Sequence, residues 1–158
     1  MSRAKPLALV ISVVLLGATL RAQQPDPRLT AADVEKVTGI KGMQIVGRGA
    51  VPGAGPGLNF SGPDKHMVLM VNFGTADLYR RAKDRKPVAG MPALFHAAVP
   101  GVGDEAFDSP QGPTQYVLYV RKGDKAASFT AYFIARTQKT TLTMDQLKQL
   151  AAIAVARM

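Results

Sequence analysis

From Leu29 onward the apolar positions switch between a helical and an alternating period. In LTAADVEKVTG, Thr30 stands three residues before Asp33 in a capping-box pattern, and Leu29 and Val34 occupy the positions of a hydrophobic staple. With Gly39 placed to end it, a short helix is expected over 31–38. MQIVGRG (43–49) and LNFS (58–61) read as strands, and HMVLMVNFG (66–74) is the strongest strand signal in the chain. Its Met67, Leu69, Val71 and Phe73 share one face while Val68 and Met70 share the other, which predicts a central strand covered on both sides. TADLYRRAKDRK (75–86) predicts a helix with Thr75 as cap, Asp77 in the first turn, Arg85 and Lys86 in the last, and an apolar stripe of Leu78, Tyr79 and Ala82. It should end near Lys86, before Pro87. The segment 87–98 fits a loop or an irregular strand.

The last third is clearer. A strand is expected to begin at Glu105–Phe107, and TQYVLYVRKGDKAASFTAYFIAR reads as a hairpin with arms Gln115–Arg121 and Ala126–Arg136 around a KGDK turn. In LTMDQLKQLAAIAVARM, Thr143 with Gln146 repeats the capping box and Leu142 with Leu147 repeats the staple. Leu147, Leu150, Ala151, Ala154 and Met158 then recur at helical spacing. The order α-βββ-α-βββ-α predicts an α+β domain, with an antiparallel sheet of about five to six strands covered on one face by helices. Three strands and a helix in each half raise the question of an internal duplication.

The first 22 residues have a different pattern. Arg3 and Lys5 precede an uncharged apolar run, Leu7–Leu20, and Ala22 offers a small residue before Gln23. This is the layout of a secretory signal peptide. The run is shorter than the roughly 20 residues of a spanning helix, so a cleaved signal is favoured over a retained anchor. Residues 23–28 then read as a disordered leader, 29–158 as one domain, and the mature chain as exported to the periplasm or beyond, with no further span. There is no cysteine, which excludes disulfides, thiolate metal sites and lipid attachment at a cysteine. Removing Arg3, Lys5 and Arg21 lowers the net charge from +9 to +6. That excess suits an anionic surface or an acidic envelope partner.

The candidate chemistry is sparse. VPGVGDEAFDSP (99–110) collects Asp104, Glu105 and Asp108, which would carry a carboxylate-dependent hydrolase if they converged. Strand alternation from Glu105 would send Asp104 and Glu105 to opposite faces. Gly101, Gly103 and Asp104 are therefore read as a structural turn, with Asp104 bonding backbone N–H groups. Ser61, Asp64 and His66 supply hydrolase residue types, but three residues around one tight turn do not make a triad. His66 and His96 lack metal-ligand spacing, so neither a metal nor another cofactor is expected. Pro52 and Pro56 interrupt GRGAVPGAGPG (47–57), and a strand follows it where a phosphate loop needs a helix. The densest basic cluster is Arg80, Arg81, Lys83, Arg85 and Lys86, a candidate anion- or partner-binding face. No aromatic residues interleave with it, which argues against nucleic acid. Tyr116, Tyr119, Phe129, Tyr132, Phe133, Met67 and Met70 would line a pocket if the chain were a small-ligand carrier; otherwise they are core.

Gly101-Val102-Gly103-Asp104-Glu105-Ala106-Phe107, with the Lys-Gly-Asp turn and the Leu/Ala-rich closing helix, resembles a loose family of small exported bacterial domains of uncharacterised function. The likeness is best over 99–158. It implies a compact α+β binding or envelope-associated domain without a reaction of its own. Many members carry a lipid anchor or a cysteine pair, and this chain has no cysteine for either.

Overall fold

A computed structural model of the chain describes residues 26–47, 57–85, 97–110, 115–134 and 139–158. The expected signal segment, most of the Gly/Pro loop, Lys86 and His96 lie outside the described residues. Helix α1 spans Ala31–Thr38, with the Thr30–Asp33 capping box formed and Gly39 as left-handed C-cap. Strands β1 (Gln44–Gly47), β2 (Gly57–Ser61) and β3 (Met67–Thr75) follow, then helix α2 (Ala76–Lys83). After α2 come β4 (Ala97–Ala98), β5 (Glu105–Pro110), β6 (Gln115–Lys122), β7 (Lys125–Ile134), β8 (Lys139–Thr140) and helix α3 (Met144–Ala156). The second capping box, Thr143 with Gln146, is also formed.

The domain is α+β, and every strand pairing is antiparallel. The described residues hold eight strands in place of the expected five to six. Seven run in the order β1-β2-β3-β7-β6-β5-β4, and β8 pairs with β7. The two additions, β4 and β8, are two residues each, too short to show a hydrophobic period. Helix α2 stops at Lys83, short of Lys86, and Thr75 makes no side-chain cap. The Ala76 N–H instead donates to the Asp124 carbonyl in the β6–β7 turn (2.7 Å), so tertiary contact satisfies this helix start.

Register assigns the faces. Leu58, Phe60, Leu69, Val71, Phe73, Leu118, Val120, Ala127, Phe129 and Ala131 share one side and form the main core with Val34 of α1 and Leu147, Leu150, Ala151 and Ala154 of α3. Tyr79 and Ala82 of α2 pack on the other side, against Phe107 and Ala126, with Leu78 and Tyr119 beside them. Helices therefore cover both faces, not one. This also bears on the duplication. Outward from the central β3/β7 pair, the sheet reads β3-β2-β1 on one side and β7-β6-β5 on the other. A two-fold axis relating two antiparallel halves stands normal to the sheet and would keep their helices on one face; α2 and α3 occupy opposite faces. The strand order has the symmetry of a duplication and the helices do not. The alternation expected in β3 also slips. Pairing shifts between Phe60 and Ser61, and Val68, not Met67, joins the main core.

Asp26 to Arg28, read as the end of a disordered leader, are instead part of the fold. Asp26 is buried and chelates Arg28, whose guanidinium lies 3.8 Å from the centre of the Phe73 ring. Arg157, past the end of α3, makes a bidentate pair with Asp33 of α1 at 2.6 and 3.0 Å. The Arg157 hydrogen bond, helped by those from Thr30, lowers the Asp33 pKa from 3.8 to about 2 against the opposing effect of burial. A carboxylate with a depressed folded-state pKa stabilises the fold above its unfolded value and loses that contribution as pH falls toward its folded value. Asp33→Asn is accordingly expected to cost about 1 kcal/mol near neutral pH, as for a lost helix cap. In urea denaturation, the gap between wild type and variant should close as pH falls from 3.8 to about 2. A pH-independent gap would mean the cap geometry alone matters.

Candidate functional site

The glycine-carboxylate stretch is a turn. Gly101 and Gly103 have φ of 84° and 64°. The Asp104 N–H donates to the Arg121 carbonyl (2.8 Å), and its Oδ2 accepts from the Gly123 N–H (2.7 Å). The expected Asp104 role is thus present, with its donor in the facing β6–β7 turn. The expected separation of Asp104 and Glu105 is only partial. Both approach Arg121, Glu105 at 2.9 Å and Asp104 at 3.8 Å, because Arg121 sits opposite Glu105 on β6. The Arg121 hydrogen bond chiefly lowers the Glu105 pKa, and Lys83 adds to this from 3.5 Å. Asp108 is held elsewhere: it accepts from the Ala97 N–H at 3.1 Å and from the Tyr116 hydroxyl. Asp108 thus does not share the Arg121 partner of Asp104 and Glu105, and no group of three or more acidic or histidine side chains among the described residues could hold a metal ion.

The Ser61, Asp64 and His66 turn does not assemble a triad either. Ser61 Oγ is buried without a hydrogen bond, and Asp64 accepts from the His66 backbone N–H at 3.2 Å.

The basic cluster is divided by α2. Tyr79 and Ala82 face the sheet, while Arg80, Arg81, Lys83 and Arg85 are exposed. Arg80 pairs with Asp77 and Lys83 with Glu105. Arg85 lies close enough to Tyr119 to act on its hydroxyl electrostatically. Arg81 has no partner among the described residues. Around the helix base, Phe107 sits 5.0 Å from Tyr79, edge-on, and 5.0 Å from Tyr119, stacked. Burial first, then Glu105, pushes the Tyr79 pKa up to about 12, and burial with Asp108 does the same to Tyr116. These phenols stay protonated at neutral pH.

The side chains proposed for a carrier pocket separate. Phe129 faces the main core, with Tyr116 packed against it. Tyr119 is on the α2 side, as are Met70 and Tyr132 by register, and the Tyr132 hydroxyl reaches Met70 Sδ at 3.7 Å. Burial raises the Tyr119 and Tyr132 pKa values. The Phe133 side chain lies outside the described residues.

This second face also carries a polar group that sequence reading missed. Asn59 on β2, Asn72 on β3, and Ser128 and Thr130 on β7 point to the α2 side by register. Asn72, Ser128 and Thr130 are only 3–4% exposed. The Asn72 amide donates to Ser128 Oγ at 3.4 Å, but the side-chain oxygens of Asn72 and Asn59 are buried without any partner. The signal was present as polar residues at inward positions of apolar strands, NF, VNF and SFT. Apolar neighbours on the opposite face dominate the pattern there and mask it.

Fold and site together define an α+β domain with an antiparallel sheet helix-covered on both faces, one face apolar and one partly polar. Comparison with known proteins finds no matching family model, no matching curated protein and no matching solved structure.

Proposed function

We propose that the chain is an exported, non-enzymatic binding domain that docks through the outer face of α2 onto an anionic surface or acidic partner of the cell envelope. The observation that carries this reading is Arg81, exposed and without a partner among the described residues, between Arg80 and Lys83 on a helix fastened to the sheet by its opposite side. A rigidly seated helix presents that charge without the entropy cost of ordering a loop. The net charge of +6 that remains without residues 1–22 and the signal-like layout of that segment support an anionic partner outside the cytoplasm. Among the described residues no helix is long and apolar enough to cross a membrane, so association through this face would be peripheral.

The test is co-sedimentation of the mature chain with phosphatidylglycerol vesicles, with neutral phosphatidylcholine vesicles and with an acidic polysaccharide. Binding to an anionic probe should weaken steeply between about 0.05 and 0.5 M salt as the Debye length shrinks. Arg81→Gln should weaken it roughly fivefold, the effect of about 1 kcal/mol per basic residue at an anionic surface. Vesicle binding alone would identify lipid headgroups, and polysaccharide binding alone an acidic glycan. Salt-insensitive capture, or an unchanged Arg81→Gln variant, would overturn the reading.

A further inference from the structure

Building on the α2 docking surface proposed above, we infer that Glu105 is a built-in stand-in for the partner's anion. Its carboxylate fills an oxyanion seat formed by Lys83, Arg121 and the Tyr79 hydroxyl, and an oxyanion of the partner takes that seat by displacing it. The seat joins two elements. Glu105 Oε1 accepts from Arg121 Nη2 of β6 at 2.9 Å, and its Oε2 lies 3.5 Å from Lys83 Nζ of α2. The Tyr79 hydroxyl, also from α2, donates to the same carboxylate. Two cations and a neutral donor thus converge on one pair of oxygens. A phosphate, sulfate or carboxylate group offers oxygens that can make the same charge-assisted contacts.

The donors have supports of their own. Tyr79 is buried in a cluster with Phe107 and Ala126. Arg121 also donates to the Gly123 carbonyl at 3.0 Å and lies 3.8 Å from Asp104. The Lys83 ammonium is 5.7 Å from the centre of the Tyr79 ring. Glu105 is the member that can leave. It is the first residue of β5, and its side chain is 46% exposed. Ion pairs at such exposure contribute little, so displacement costs little, and an incoming oxyanion regains both cations. The Arg80–Asp77 pair differs, because both residues lie on α2 three positions apart and move together. Lys83–Glu105 instead ties a helix cation to the sheet. While Glu105 holds the seat, Lys83 is neutralised, and α2 presents less charge than its sequence carries.

Co-sedimentation with phosphatidylglycerol vesicles at low salt tests this by a double-mutant cycle. Glu105→Gln keeps the side-chain shape, removes its charge and should tighten binding about fivefold, the effect of one more basic residue available to an anionic surface. Lys83→Gln should weaken the wild type by less than about twofold, since Glu105 already matches that charge. In the Glu105→Gln background it should weaken binding about fivefold. Asp145→Asn removes an equal charge from the exposed first turn of α3, on the other face, and should leave binding unchanged. The same cycle with alginate, a polyuronate, separates a glycan carboxylate from a lipid phosphate: the seat's source is the probe that shows the gain. If wild type binds but Glu105→Gln binds no tighter, the inference fails and the α2 surface stands. The same holds if Asp145→Asn gains as much, or if Lys83→Gln weakens both backgrounds equally. If neither wild type nor Glu105→Gln binds either probe, the inference and the α2 surface fail together.

Discussion

Gly103→Val is expected to be the most damaging single substitution in the turn before β5, lowering stability by roughly 3–5 kcal/mol. Two independent costs combine. At φ 64° a β-branched residue is forced into the left-handed region, against the steric preference of every L side chain. A Cβ there would also lie 2.5 Å from the Arg121 carbonyl oxygen and 2.7 Å from Val120 Cγ1. The first contact is with backbone, and that carbonyl already accepts the Asp104 N–H, so relief would require breaking the bond that seats the turn on β6. Gly101→Ala provides the comparison. It shares a positive φ of 84°, but a Cβ would meet nothing within 4 Å. Its cost should be close to 1–2 kcal/mol, roughly the conformational cost alone. Glu105→Gln, at an exposed ion pair, should leave the midpoint unchanged. Urea denaturation of the three variants checks the order. Equal losses at Gly101 and Gly103 would show that the close approach to Arg121 does not exist.

Phe129→Ala should be nearly as severe, at about 3–5 kcal/mol, the usual range for removing a buried aromatic ring. Phe129 is fully buried on β7, between Val71 of β3 and Leu118 of β6 in the same ladder. Its neighbours on that side belong to strands hydrogen-bonded on both edges, which cannot move in to fill the space. The same substitution separates core from pocket. A residue lining a ligand chamber would be truncated at little cost to the empty protein, whereas a core residue lowers the thermal midpoint whether or not a ligand is present. A loss under 1 kcal/mol in chemical denaturation would return Phe129 to the list of pocket residues.

Much of the local structure was legible in the sequence, and for a common reason. The two capping boxes, the Gly39 terminus, the KGDK turn and the glycine turn before β5 depend on residues within about four positions of one another. The capping boxes satisfy their own backbone groups before any tertiary contact forms, and the turns are marked by the glycines their backbone angles require. The apolar period of α3 is legible because burial on one side imposes it directly, and β3 is legible as an apolar run because it is buried on both faces. Helix α2 forms where the pattern predicts it and ends three residues earlier, at Lys83. Its basic residues suit a helix end wherever they fall in the last turn, so charge did not mark the boundary at Lys83. Strands β4 and β8 had no period to read, since two residues held in place by a neighbour have no pattern of their own.

The candidate sites divide along the same line. The turn role of Asp104 could be read from its neighbours, but its hydrogen-bond donor could not, because Gly123 lies 19 residues away. The joint approach of Asp104 and Glu105 to Arg121 depended on the β5–β6 register. The basic residues of α2 are visible as a cluster, yet only the packed structure shows Lys83 drawn to Glu105 and Arg81 without a partner among the described residues.

By itself, the sequence determined the helices, the principal strands, the α+β class, the absence of thiol chemistry and the excess of positive charge. These follow from composition and from interactions over a turn or two. Only the tertiary structure decided the strand order, the placement of helices on both faces and the meeting of Asn72 with Ser128 across 56 residues. Those depend on which strands become neighbours and in what register. A shift of one residue would have turned the whole polar patch into the apolar core.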